Sequence, residues 1–281
     1  MIIKEHNIQL MFLYIILSVT ISFAQGSEGA DAAVKYQFKY RLTHQADSAD
    51  VNSLESEEML LLVGDDISKF QSLGAHLRDS ITRNMNKENL NSLNLMNLMG
   101  SVPKTKFKEI VYKDRTKDKI TYRERIFKDN FEYQDSLSLF NWEIKGDVRN
   151  INGYDCRKAT TAFAGRQYEA WYAPEIPISD GPYKFNGLPG LIVKIQDADH
   201  HYLYELIELK KVPRKTIALN KEDHIVTTKS EFYRVKKEFY NNIFSKLEQS
   251  GIRLDFQDAS QKKNTARALK KRNNPIERTH G

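Results

Sequence analysis

The chain has 281 residues, 43 lysines and arginines against 37 aspartates and glutamates, and a single cysteine. That length allows one large domain or two ordinary ones with a substantial core. One cysteine excludes an internal disulfide and a zinc site built on cysteines. The net charge of +6 does not mark a nucleic-acid binder, because residues 262–281 carry seven basic residues and one acidic, leaving 36 of each elsewhere. Such a basic, asparagine-rich end is expected to be a solvated, mobile tail over 262–281. Its charge would suit contact with anionic lipid.

In chain order, MIIKEHNIQLMFLYIILSVTISFAQG comes first. Lys4, the apolar run Leu10 to Phe23, and small residues at Ser22 and Ala24 predict a signal peptide over 1–24, cleaved after Ala24. The run is short for a membrane span. No cysteine stands at the cleavage point, so an acylated lipoprotein is not expected. The mature chain is expected to be exported, to the periplasm, as one domain over 25–261 followed by the tail. Cys156 then lies in an oxidising compartment and is read as a small core residue.

VKYQFKYRL places Val34, Tyr36, Phe38, Tyr40 and Leu42 on one face, as in a half-buried antiparallel strand. EMLLLVGDDISKFQS predicts two short strands joined at Gly64-Asp65-Asp66. Residues 73–86 carry a helical pattern, and 84–103, rich in Asn, Leu and Met, reads as a surface insertion. FKEIVYKD, KITYRERIF and NFEYQDSL alternate and are separated by charged turns. NWEIKGDVRNINGYDCRKATTAF gives two more strands around Asn152-Gly153, a hairpin dipeptide. GRQYEAWYAPEIP adds another, ended by Pro174, and LIVKIQDADHHYLYELIELKKV turns near Asp197 to His200. Strands in direct succession predict an antiparallel meander.

One late helix is expected in TTKSEFYRVKKEFYNNIFSKLEQSG. Thr228 and Glu231 have capping-box spacing, and Phe232, Val235, Phe239, Ile243, Phe244 and Leu247 form a stripe ending at Gly251. The predicted fold is therefore mainly β (α+β): a curved antiparallel sheet, a half-barrel meander, with this amphipathic helix packed on it.

SDGPYKFNGLPGLIVKI concentrates turn residues before an apolar strand. It is not a phosphate loop, since it opens into a strand rather than a helix. Gly181, Pro182, Asn186, Gly187, Pro189 and Gly190 read as a structural loop of two tight turns, at Asn186-Gly187 and Pro189-Gly190. Its apolar side chains either pack as a core corner or cover a groove. A ligand or partner surface would then use Trp171, Tyr172, Tyr183, Phe185 and Leu188, lined also by Phe163. DADHH (Asp197 to His201) is the best metal candidate but reads more simply as a turn, so no metal and no cofactor is expected. No nucleophile elbow or His-Glu-x-x-His helix occurs, so no catalytic residue is assigned.

GLPGLI (Gly187 to Ile192), with NGYDCRKA and EAWYAPEIPISDGPYKF before it and RNNPIE near the end, resembles the GLPGLI family of exported Bacteroidota proteins. The likeness is dense between Trp142 and Ile195. It implies no established catalytic residues, and it implies a place beside TonB-dependent transporters of the outer membrane. The resulting expectation is a periplasmic, non-enzymatic binding or accessory protein of the outer-membrane system. The alternatives are a carrier of a lipid or other hydrophobic ligand and, far behind, a hydrolase.

Overall fold

The computed structural model describes residues 32–88, 92–217, 223–252, 254–270 and 272–279. The expected leader over 1–24 lies outside them. Twelve strands form a single sheet: β1 (Ala32–Gln45), β2 (Leu54–Val63), β3 (Ile67–Ser72), β4 (Ile110–Asp114), β5 (Lys119–Ile126), β6 (Asp129–Ser136), β7 (Glu143–Ile151), β8 (Tyr154–Phe163), β9 (Arg166–Ala173), β10 (Leu191–Asp197), β11 (Tyr202–Ile217) and β12 (Ile225–Val226). Their order is β12-β6-β5-β4-β3-β2-β1-β11-β10-β9-β8-β7, and the sheet does not close.

The topology is two meanders rather than one. β1 to β6 step outward from the centre, the chain then crosses to the far edge at β7, and β8 to β11 step back to pair with β1. The β1–β11 ladder runs from Ala32 opposite Ile217 to His44 opposite Tyr202. It thus joins chain segments far apart in sequence, which local alternation cannot announce. All pairs are antiparallel except β12, which runs parallel to β6.

Alternation places Phe38, Tyr40, Leu42, Met59, Leu61, Val111, Ile120, Tyr122 and Tyr133 on the concave face, all fully buried or nearly so. The opposite face carries a smaller cluster of Val34, Leu60, Leu62, Tyr112 and Ile217. Leu73, the first residue of helix α1 (Leu73–Glu88), packs against it. At Asn152-Gly153 both residues have positive φ, 54° and 87°, the requirement of a type I′ hairpin turn.

Two expectations about helices are corrected. The stretch 84–103, read only as a surface insertion, carries helices: α1 reaches Glu88 and α2 spans Ser92–Ser101, with Met96 and Leu98 exposed. The late helix is two helices, α3 (Lys229–Asn241) and α4 (Ile243–Gln249), broken at Asn242, whose φ of −117° is not helical. The Thr228 hydroxyl accepts from the Glu231 amide, as predicted, but the Glu231 carboxylate pairs with Arg234 instead of closing the box. Phe232 inserts fully into the core, against Tyr122, Tyr133 and Phe131. No helix among the described residues is long and apolar enough to cross a membrane.

The mobile tail is corrected more sharply. Residues 259–270 form α5 (Ala259–Lys270), and the segment after it docks: Asn274 is 5% exposed and Glu277 0%. Charge count alone suggested solvation. What holds the segment is a set of buried cations on the body of the protein, spelled out below.

Candidate functional site

The glycine-proline stretch crosses the concave face. Tyr183, Phe185 and Leu188 are each at most 1% exposed, so the side chains form a corner packed on the core. The turns differ from the expected ones. The Phe185 amide donates to Pro182 O at 3.1 Å, and the left-handed residue is Tyr183, at φ 52°. Asn186 is not in that region, whereas Gly187 is, at φ 94°. At Pro189 the Gly190 amide donates to Leu188 O at 2.8 Å, a three-residue turn, while Leu191 pairs with Ile176. Gly190 is obligatory sterically, since a Cβ there would lie 2.3 Å from Ala173 O. A bulky residue in the left-handed region is strained. Tyr183 is held there by its hydroxyl, which donates to Glu277 Oε1 at 2.5 Å.

Lys113 shares the concave face with Val111 and supports the corner. Its Nζ donates to Asp180 Oδ1 at 2.5 Å and to the carbonyls of Gly181 and Phe185 at 2.7 and 3.0 Å. Arg115 takes the other Asp180 oxygen at 2.8 Å. Burial lowers the Lys113 pKa, against the pull of Asp180.

Two further cations anchor the C-terminal segment. Lys184, fully buried, contacts Glu277 at 2.7 Å, Asp135 at 2.7 Å and the Tyr133 hydroxyl at 2.9 Å. Its ammonium sits 4.8 to 5.6 Å from the ring centres of Tyr133, Tyr122 and Tyr183. Lys229, at the start of α3, reaches the other Glu277 oxygen at 2.8 Å. Burial would raise the Glu277 pKa, but Lys184 and Lys229 outweigh it and hold the carboxyl below its ordinary value. Arg166 opens β9 and donates to Asp197 at 2.6 Å, Asn274 Oδ1 at 2.6 Å, Pro275 O at 2.7 Å and Ile276 O at 3.1 Å. Tyr202 donates to Asn274 O at 2.6 Å, and Asn274 donates to Gln45 O at 2.8 Å.

The docked segment closes one side of a cavity of about 310 Å³. His44 and Ala46 at the end of β1, residues 106–109, Tyr122 and Glu124 of β5, and Tyr202 form its floor and sides. Tyr233, Lys236 and Tyr240 of α3 face the segment Arg272 to Glu277 across it. Thr105 and the Lys106 amide bond to the Glu57 carboxylate at 2.6 and 2.9 Å, fixing the 106–109 wall. Glu124 accepts from Tyr122 and pairs with Lys236, both at 2.7 Å. Burial opposes the Lys236 charge, yet Glu124 carries its pKa above the ordinary value.

Two titratable groups in this cavity are only partly satisfied. His44 is 4% exposed and packed edge-on to Phe107 at 4.8 Å; its Nε2 lies 3.7 Å from the Glu55 carboxylate, and its Nδ1 has no hydrogen-bond partner. Burial lowers its pKa, so the ring is neutral at pH 7. Glu109 makes no ion pair among the described residues, and its carboxylate takes a hydrogen bond from its own backbone amide. Burial and then the charge of Glu124 push its carboxyl up to about 7. Unsatisfied, titratable groups in a cavity are the mark of a binding or reactive site.

None of Trp171, Tyr172, Tyr183, Phe185 and Leu188 lines this cavity. Tyr172 is in the core at 1% exposure. Trp171 points to the other face of β9, beneath Arg149 and Lys158, with its ring nitrogen donating to Glu169 at 2.9 Å. Trp171 and Tyr172 thus lie on opposite faces of the strand, and all five side chains are buried. Phe163 is core as well. Asp197, Asp199 and His201 do converge with metal-like spacing. Arg166 occupies Asp197, Arg278 pairs with Asp199 at 2.8 Å, and both guanidinium groups reach His201 Nδ1, at 3.4 and 3.1 Å. Cys156 is buried in the core, where burial pushes its thiol up to about 11.

His44, Glu109 and Glu124 were not singled out from the sequence, though two carried a signal. Glu124 follows Ile120 and Tyr122 on the inward face of β5, and His44 follows Tyr40 and Leu42 on β1. A carboxylate or imidazole continuing a buried stripe is the anomaly to look for.

A family model described as a protein of unknown function (Porph_ging) matches residues 163–194, the end of β8 through the corner into β10. No curated protein matches. The chain is similar to a solved structure of PNGF-II in space group P21, with TM-score 0.50 and 13% identity over 73% of this chain and 34% of that one. A second PNGF-II structure, in C2, gives TM-score 0.49 and 13% identity over 73% and 33%. At this identity the likeness shows the fold alone, and the chain spans about a third of the length of the PNGF-II chain it matches.

Proposed function

We propose that this chain is an exported, non-enzymatic binding protein of the cell envelope, and that its ligand occupies the cavity between α3, β5 and the C-terminal segment. The single observation that carries this reading is the pairing of a cavity of about 310 Å³ with two titratable groups in its wall: the buried His44, whose Nδ1 has no hydrogen-bond partner, and the half-buried Glu109, which pairs with no cation among the described residues. That volume lies at the small end for a ligand site, and mixed aromatic and polar walls suit a small polar molecule better than a lipid tail. The filled corner at Tyr183, Phe185 and Leu188 likewise argues for small-ligand binding over a hydrophobic carrier. The GLPGLI resemblance supports a place in the outer-membrane system, with a TonB-dependent transporter as partner.

Ala46 lines the cavity and is half-buried. Ala46→Phe should fill the space without touching the anchoring ion pairs. Native mass spectrometry of protein purified from envelope fractions is expected to show a bound small molecule that this variant lacks. A bound mass that persists in Ala46→Phe, or its absence from the unaltered protein, would overturn the reading.

A further inference from the structure

The charges around the cavity are unevenly spent. Lys106 and Arg272 both pair with Glu55 Oε1, at 2.6 and 3.1 Å, and Lys236 pairs with Glu124. Glu277 is held by Lys184 and Lys229. Lys108 has no such partner but is exposed, so water satisfies it. What is left in the cavity wall without an ion-pair partner is the half-buried carboxyl of Glu109, with the rings of Phe107, Tyr122, Tyr202, Tyr233 and Tyr240 lining the same cavity. His44, neutral at pH 7, adds no positive charge to oppose a cation.

From this balance we propose that the cavity takes a small organic cation, an ammonium or amidinium group on a compact apolar body, with Glu109 as its counter-ion and the surrounding rings as its walls. The proposal rests on the cavity being the ligand site and adds the ligand's charge class. A cation among aromatic faces is stabilised by their quadrupoles, and more strongly when water is excluded. An anion of the same shape would meet the Glu109 and Glu124 carboxyls with every buried cation already committed.

Proton linkage follows. The groups acting on Glu109 are Glu124 from β5, Lys236 from α3, its own backbone amide and Glu57 from β2, and the net effect with burial is a carboxyl raised to about 7. A bound cation favours its ionised form, so binding at pH 6 drives the carboxyl proton onto the buffer, and binding at pH 8 releases almost none.

The test is calorimetry on the full purified chain with benzylammonium, benzyl alcohol and benzoate as probes of matched shape, at pH 6 and pH 8 in buffers of different ionisation enthalpy. Benzylammonium is expected to bind at least about tenfold tighter than the other two, with proton release at pH 6 only. Glu109→Gln should lose about tenfold for the cation and abolish the proton release, while Glu109→Asp keeps both in part and guards against a folding defect. Equal or tighter binding of benzoate or benzyl alcohol, blocked by Ala46→Phe, would overturn the cation assignment and leave the ligand cavity standing. Unchanged cation binding in Glu109→Gln would overturn the assignment of the counter-ion. If none of the three probes binds, the proposal falls, whereas the ligand cavity itself is judged by the envelope-purified protein.

Discussion

Lys184 and Glu277 meet at 2.7 Å with neither side chain exposed, and this pair ties the glycine-proline corner to the last docked segment of the chain. The Tyr183 hydroxyl bonds to the same carboxylate, so the strained turn and the C-terminal segment are fixed by one set of atoms. Both the cavity wall and the corner depend on it.

Removing that charge should be costly. Glu277→Gln leaves Lys184 with Asp135 as its one charged partner beside the Tyr133 hydroxyl, and Lys229 with a contact of 3.9 Å to Asp135. Breaking a buried ion pair from one side costs about 3 kcal/mol or more. Deleting residues 273–281 should cost at least as much, because Arg166 also loses its acceptors at Asn274, Pro275 and Ile276. Urea titration measures both, and a loss below about 1 kcal/mol in the truncated chain would restore the mobile-tail description.

Acid should act through the same residue. The folded-state pKa of Glu277 lies below its ordinary value of 4.5, so its contribution is fully present above that value and is lost as pH falls through the folded pKa. Melting temperatures between pH 6 and pH 3 should fall more steeply for the natural chain than for Glu277→Gln. Parallel profiles would mean that the pair contributes nothing pH-dependent.

Glu109 should have the opposite sign. Its carboxyl is raised from 4.5 to about 7, so the folded state holds a proton that the unfolded state has released. Stability from this group is unimpaired below pH 4.5 and declines as pH rises through 7. Glu109→Gln, which cannot ionise, should therefore gain in melting temperature relative to the natural chain at pH 8 and gain little at pH 5. A difference that is flat with pH would place Glu109 in a water-like setting.

The corner makes a graded prediction. Leu188→Ala truncates a side chain that is 1% exposed, at a cost of about 2 to 4 kcal/mol. Gly187→Ala has room for its Cβ, with Trp142 3.7 Å away, and should cost about 1 kcal/mol through positive φ alone. Gly190→Ala drives a Cβ into the Ala173 carbonyl and should cost more than either or prevent folding. Equal, small effects at all three positions in chemical denaturation would identify the stretch as a surface lid.

The sequence by itself determined the strands, because a period of two fixes which side chains share a face whatever the strand pairs with. Thus Tyr36 to Leu42, the Asn152-Gly153 turn, the stop at Pro174 and the β10–β11 hairpin were all legible locally. So was the Thr228 cap, which needs only its own first turn. The tertiary structure alone decided which strands became neighbours, since the β1–β11 ladder joins residues 32–44 to residues 202–217 and no local pattern encodes that register. It also decided the fate of the C-terminal segment. Read as sequence, KKRNNPIE is polar and solvated; in the fold, Arg166, Lys184 and Lys229 converge on Asn274 to Glu277 from a strand start, the glycine-proline corner and a helix start. The raised carboxyl of Glu109 in the cavity arises in the same way. A carboxyl becomes unusual only when folding removes its water and places another carboxylate beside it, and neither event is written in the residues next to it.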